Sequence, residues 1–271
     1  MQNKLTKLGF QIRQVQGVTF LIPPVIEIPA GAFLMGTSQE NARYERDSET
    51  PQMQIQINHP YKIGKYPVTV AEYAYAVQAQ AVEEPEACVD GLEIHNYTWK
   101  YQLQFPLHPV IGVNWFQAKM YCVWLTELTG KEWRLPSEAE WEKAARGTDG
   151  RKYPWGNEWD DTKANSLQKG SLGLTPVYQY PEGASPYGVM DMVANADQWC
   201  NTMYKRYPYD AEDGRETQQI VSQDPRSDSL AIVLRGGSWM GGSGCRCAQR
   251  IRQQPIISAS HGFRLVYTIA K

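Results

Sequence analysis

Residues 234–239 read Leu234-Arg235-Gly236-Gly237-Ser238-Trp239, and residues 262–264 read Gly262-Phe263-Arg264. Between them runs Met240-Gly241-Gly242-Ser243-Gly244-Cys245-Arg246-Cys247-Ala248-Gln249-Arg250-Ile251-Arg252-Gln253-Gln254-Pro255-Ile256-Ile257-Ser258-Ala259-Ser260-His261. Glycine, arginine and aromatic residues in both flanks suit a chain that turns tightly and ties its turns with side-chain donors. The interior carries neither a helical stripe nor a sustained alternation. Its glycines permit a compact loop but do not dictate which side chains the loop shows. A specified frame around an unspecified interior places the function of the chain in that interior.

Moving outward, residues 205–228 are polar and rich in turn formers, and read as a loop or lid. Three segments read as helices with a reciprocal cap: Thr69-Val70-Ala71-Glu72, Asn114-Trp115-Phe116-Gln117 and Ser137-Glu138-Ala139-Glu140. Gly130 and Gly147 stop the second and third. Gln52-Met53-Gln54-Ile55-Gln56-Ile57-Asn58 alternates strictly and predicts a half-buried strand. Val25–Ile28 and Ala32–Met35 predict two short strands about a turn at Pro29-Ala30-Gly31. Residues 81–107 have no period and read as an irregular insert. No repeat or composition break divides the chain, so it reads as one domain with insertions.

The chain has 271 residues, 42% of them hydrophobic and 21% charged, which is ordinary for a globular protein. A formal net charge of −2 argues against a nucleic-acid surface. No apolar run is long enough to span a bilayer, and the first ten residues lack a secretory core, so a cytoplasmic protein is expected. Five scattered cysteines do not make a secreted disulfide framework. Nine Trp and 16 Tyr stand beside six Phe. Such polar-tipped aromatics suit a loop-rich fold whose buried edges need hydrogen bonds.

Several motifs together resemble the formylglycine-generating enzyme (sulfatase-modifying factor) family. They are Ile28-Pro-Ala-Gly-Ala-Phe-Leu-Met-Gly36, Tyr61-Lys-Ile-Gly-Lys-Tyr-Pro-Val-Thr69, Pro109-Val-Ile-Gly-Val-Asn-Trp115, Trp133-Arg-Leu-Pro-Ser-Glu-Ala-Glu-Trp-Glu142, Ala144-Ala-Arg-Gly147, Tyr153-Pro-Trp-Gly156 and the two flanks above. They occur in the family's order from about residue 19 onward, which implies residues 1–18 as an N-terminal extension and 19–271 as the domain. The resemblance implies an α+β fold: the irregular, loop-rich C-type lectin fold of that enzyme type. Arg134, Glu138, Glu140 and Trp141 then read as buried polar cross-links rather than catalysts.

The enzymes that the chain resembles use two cysteines with copper, a soft ion suited to thiolates. Here the first cysteine position, directly after Met240, is Gly241, which argues against copper and against a catalytic assignment. Cys245 and Cys247 remain, and as a Cys-x-Cys pair read first as small buried hydrophobes. His59, His95, His108 and His261 show no iron-binding spacing. Asp191-Met192-Val193-Ala194-Asn195-Ala196-Asp197-Gln198-Trp199 resembles the family's calcium-binding turn. That implies the Asp191 and Gln198 side chains and the Ala194 and Ala196 carbonyls as ligands of a structural calcium. Gln198 stands where the family has Glu, which removes one charge, and Asp191 stands where Asn is common, which restores one; a turn held by hydrogen bonds alone is the other reading.

The 234–264 segment also resembles the variable region of diversity-generating retroelement proteins, which share this fold. That resemblance implies a non-catalytic protein displaying a diversified surface to a protein or other surface ligand at 240–260. Cys245, Arg246, Ala248, Arg250 and Pro255 would be scaffold. Met240, Gly241, Gly242, Ser243 and Gly244 would be displayed, as would Gln249, Ile251 and Gln253, and then Ile256, Ile257, Ala259 and Ser260. The alternatives are a copper- or iron-dependent oxidase and an accessory regulatory domain of the same fold.

Overall fold

Each of the three capping signatures closes a helix at the residue that the sequence indicates. Thr69, Asn114 and Ser137 accept from the N3 backbone while Glu72, Gln117 and Glu140 reach back to the cap backbone. The helices are α2 (Val70–Gln78), α4 (Trp115–Thr129) and α5 (Glu138–Arg146), with α1 (Gln2–Lys7) and α3 (Trp99–Gln102) shorter. Gly130 and Gly147 end the second and third at φ 68° and 74°, where a Cβ is disfavoured. The computed structural model describes residues 1–38, 47–85, 88–89, 92–93, 98–170, 173–216, 230–256 and 260–269.

The strands are short and divided among small sheets. They are β1 (Gln11–Val15), β2 (Val18–Ile22), β3 (Val25–Ile28), β4 (Gly31–Met35), β5 (Met53–Ile57), β6 (Tyr61–Gly64), β7 (Cys88–Val89), β8 (Leu92–Glu93), β9 (Asp197–Met203), β10 (Ile232–Arg235), β11 (Arg250–Gln253), β12 (His261–Phe263) and β13 (Val266–Thr268). The turn at Pro29-Ala30-Gly31 separates two strands as expected, but they do not pair with each other. β3 joins the three-stranded sheet β13-β6-β3, and β4 pairs with β5. The principal sheet runs β11-β10-β9-β12, with β12 parallel to β9 and the other pairs antiparallel. It carries both flanks of the 240–261 segment, on β10 and β12, which lie on either side of β9.

Two large apolar clusters fill the space between these elements. In one, Phe263 meets the rings of Tyr73 and Tyr121 edge-on at 6.3 and 5.4 Å, pairs that contribute about 0.5–1.5 kcal/mol each beyond burial. Tryptophan tips find carbonyls, as the composition suggested: Trp199 Nε1 donates to Val113 O at 2.8 Å and Trp115 Nε1 to Cys200 O at 3.0 Å. A third cluster buries Leu5 and Phe10 with Leu21, Tyr66 and Leu107. Residues 1–18 therefore pack on the body, and β1 pairs with β2. The 205–228 loop is described only through residue 216, where it holds one helical turn at Ala211–Arg215; its remainder lies outside the described residues.

Candidate ligand-binding surface

Leaving β10, the backbone passes through Gly236 and Gly237 at φ 92° and 74°. From there to residue 256 it is fastened chiefly to groups outside itself. Trp239 N donates to Asn195 O at 2.9 Å, Gly241 O accepts from Leu167 N at 3.0 Å, and Cys247 N donates to Lys152 O at 2.9 Å. Ser243 O accepts from the Tyr153 hydroxyl at 2.7 Å, and Pro255 O accepts from Trp115 N at 2.9 Å. Arg235 donates to the carbonyls of Cys247 and Ala248 at 2.8 and 2.9 Å. These bonds tie the loop's backbone to groups of the surrounding frame.

The arginines that fasten the loop are neutralised by buried glutamates. Arg235 bonds Glu142 and lies 3.3 Å from Glu138, and Arg250 makes a two-point contact with Glu138. Arg246 reaches Glu49 at 2.7 and 2.9 Å, and Arg146 meets Glu142 at 2.6 Å. Each charge was taken from water at a cost that only such pairing offsets. The Arg134–Glu140 pair, two contacts of 2.6 Å, likewise joins the start of α5 to the strand that follows it in space. Arg134, Glu138 and Glu140 thus cross-link the fold.

The expected scaffold residues Cys245, Arg246, Ala248, Arg250 and Pro255 are all buried. Met240 is 53% exposed, Ser243 and Gly244 are exposed, and Gly241, Gly242, Gln249, Gln253 and Ile256 are half-buried. Ile251 is half-buried against the core and shows only part of its surface. Ser260 is a correction to the expected display: it is buried, and its hydroxyl donates to Asp197 Oδ2 at 2.7 Å. It sits one residue before β12, whose pairing with β9 sets His261 opposite Asp197. Ile257 and Ala259 lie outside the described residues. A shallow cleft of about 330 Å³ opens between Met240 and Leu167, floored by Gly241–Gly244. The half-exposed Leu167 was not legible as part of this surface; nothing in its local pattern sets it apart.

The thiols face different neighbours because Cys245 and Cys247 do not lie on a strand. Cys245 lies in a cradle of two glycines. A Cβ on Gly237 would come within 2.5 Å of its sulfur, and one on Gly241 would overlap it. Burial and the nearby Asp197 push the Cys245 thiol up to about 12. Cys247, fully buried near Arg146 and Glu142, is likewise pushed up to about 12 by burial. Soft-metal binding and nucleophilic attack both need the thiolate, which these surroundings oppose.

In the Asp191–Gln198 turn, Asp191, Ala194 and Asn195 adopt φ of 51°, 61° and 58°. Gln198 Oε1 accepts from Trp141 Nε1 at 2.8 Å and from Arg264 Nε at 2.7 Å. Gln198 Nε2 donates to Asp191 O at 2.7 Å, and Asn195 Nδ2 donates to Asp191 Oδ2 at 2.8 Å. Ala194 and Ala196 are buried within the same turn. An amide oxygen has two acceptor sites, and those of Gln198 are both taken by N–H groups, so this donor set does not fit a calcium ion. Among the described residues no group of three His, Cys, Asp or Glu side chains is placed to hold a metal, and no helix is long and apolar enough to cross a membrane.

The family model described as the sulfatase-modifying factor enzyme 1-like domain matches residues 13–269. The chain belongs to the sulfatase-modifying factor family. It is 32% identical over 254 residues to the serine/threonine-protein kinase pkn1 of Chlamydia caviae, covering 90% of this chain but 38% of the kinase. It therefore spans well under half the length of that relative. It is 30% identical over 296 residues to the formylglycine-generating enzyme of Bos taurus, covering 89% of this chain and 74% of the enzyme. Among solved structures, PvdO from Pseudomonas aeruginosa superposes with a TM-score of 0.76 at 25% identity, over 96% of this chain and 98% of that one. Treponema denticola variable protein 1 superposes with a TM-score of 0.67 at 20% identity, over 96% and 99%. The fold is the loop-rich α+β C-type lectin variant that the motifs implied.

Proposed function

We propose that this member of the sulfatase-modifying factor family is a non-catalytic binding protein that presents residues 240–256 to a protein ligand. Its frame would work as in the diversity-generating retroelement variable proteins, whose fold it shares. One observation carries the reading. The loop's backbone bonds end on frame groups such as Arg235, Tyr153 and Trp115, while Met240, Ser243 and Gly244 face outward. Function on a loop held by a rigid scaffold is a general arrangement. Apolar Met240 and Leu167 beside the glycine floor favour a protein partner over a sugar or an ion. Cys122, Cys200, Cys245 and Cys247 are free and buried, which supports a reducing, cytoplasmic setting.

The second reading is a copper-dependent oxidase, favoured by the 30% identity to a formylglycine-generating enzyme. The two separate on copper. Cu(I) titration of the purified chain should leave less than stoichiometric metal bound, with no change in Cys245→Ala. One tightly held copper per chain, lost in Cys245→Ala and in Cys247→Ala, would sink the binding-protein reading. A positive test is a library randomised at 240, 243, 244, 249 and 253, leaving the crowded Gly241 and Gly242 and the core-packed Ile251 in place: folded members that bind an unrelated protein target should be recoverable.

A further inference from the structure

We propose that the Asp191–Gln198 turn is closed without a metal ion, the Arg264 guanidinium and the Gln198 amide making the bonds that a hard cation would otherwise make. Arg264 is buried and donates to four acceptors around one point: Gly64 O at 2.7 Å, Met190 O at 2.7 Å, Asp191 O at 3.1 Å and Gln198 Oε1 at 2.7 Å. Asp191 O takes a second donor, Gln198 Nε2 at 2.7 Å. The Asp191 main-chain carbonyl and the Gln198 side-chain oxygen are thus both filled by N–H groups.

Side-chain amides add further bonds within the turn. Asn195 holds it from inside: Nδ2 donates to Asp191 Oδ2 at 2.8 Å and to Thr175 O at 3.1 Å, and Oδ1 accepts from Asn165 Nδ2 at 2.9 Å and Thr175 N at 3.1 Å. These bonds offset the cost of three side-chain-bearing residues at positive φ. Calcium takes six to eight oxygens, several of them charged. Here Asp191 is the one carboxylate among the four residues expected as ligands, and one of its oxygens is already bonded to an amide. A divalent ion would also enter beside the guanidinium, where like charges repel in a site shielded from water.

The consequence reaches the ligand-binding surface. Ala194 N donates to Gly236 O and Trp239 N to Asn195 O, both at 2.9 Å, so the turn supports the start of the displayed loop. A turn closed by protein groups makes the position of that loop independent of divalent ions. Recognition by residues 240–256 then needs no calcium.

The test is a melting curve of the whole chain in excess calcium and in excess chelator, with Asp191→Ala and Gln198→Ala alongside. A calcium ion bound 100-fold more tightly than its free concentration would raise the wild-type melting temperature by roughly 5–10 °C. The expected result is no chelator-reversible shift, or one that Asp191→Ala leaves unchanged because the ion sits elsewhere. Gln198→Ala should melt lower by an equal amount in both buffers, since it strips partners from Trp141 and Arg264. A chelator-reversible rise of that size, abolished by Asp191→Ala, overturns the proposal. Because no ligand is used, this outcome is separate from success or failure of the binding-protein reading.

Discussion

Arg235 and Glu142 form an ion pair in which neither side chain has exposed surface. The same guanidinium holds the carbonyls of Cys247 and Ala248, so one residue neutralises a core charge and positions the loop. Removing it leaves Glu142 to Arg146 and Glu138 to Arg250, two buried carboxylates with one cation fewer between them. Arg235→Met should destabilise the protein by about 3–5 kcal/mol, because a buried ion-pair network loses a charge and two loop carbonyls lose their donor. Urea unfolding monitored by tryptophan fluorescence measures it. A loss under about 1 kcal/mol would show that the pair is not formed as described.

The displayed positions should behave in the opposite way. Met240→Ser and Ser243→Ala touch no frame bond through their side chains, so each should change stability by no more than about 0.5 kcal/mol. Ser260→Ala, which removes a buried hydroxyl from Asp197, should cost about 1–2 kcal/mol. Equal costs at 243 and 260 would mean that display and frame are not divided where the structure divides them.

Gly241 and Cys245 should be energetically coupled. An alanine at 241 drives its Cβ into the Cys245 sulfur, and overpacking of this kind costs about 1–3 kcal/mol. Cys245→Ala removes the obstacle, so the double variant should recover part of the loss, with a coupling above about 0.5 kcal/mol. Strict additivity in the four-member cycle would place the sulfur elsewhere.

Burial raises the Asp197 carboxyl to about 6, against which the Ser260 hydrogen bond works downward. The unfolded chain releases this proton near pH 4, the native chain near pH 6. Between those values the native state binds more protons, so this group's contribution to stability is present below pH 4 and is lost as pH rises through 6. The loss is on the order of 2–3 kcal/mol. Asp197→Asn should flatten the fall in urea midpoint between pH 4.5 and 7.5. A slope unchanged by the substitution would exclude Asp197 as its source.

What the sequence discloses depends on how locally each feature is encoded. Thr69/Glu72, Asn114/Gln117 and Ser137/Glu140 each solve a hydrogen-bond problem within four residues, so their helices are readable directly. The alternation of Met53, Ile55 and Ile57 is local in the same sense. Pairing is not. That β3 joins β6 rather than β4 depends on packing by Tyr61 and Ile63, residues far along the chain. The side-chain roles follow the same division. Cys245, Arg246 and Arg250 were identifiable as scaffold through resemblance. The partners that bury them, Glu49 and Glu138, stand 197 and 112 residues away. Ser260 read as display because its acceptor, Asp197, lies 63 residues upstream. Gln198 invited a cation until its two N–H donors, from Trp141 and Arg264, were located.

The fastening of the loop at 241, 243, 247, 248 and 255 has an evolutionary corollary. Main-chain atoms at fixed intervals make those bonds, so side chains that face outward among them, such as Met240 and Ser243, are free to change while residue number is not. Inserting or deleting one residue between 243 and 247 would move every later carbonyl off its donor. Such a segment tolerates rewriting by point substitution and resists a change of length.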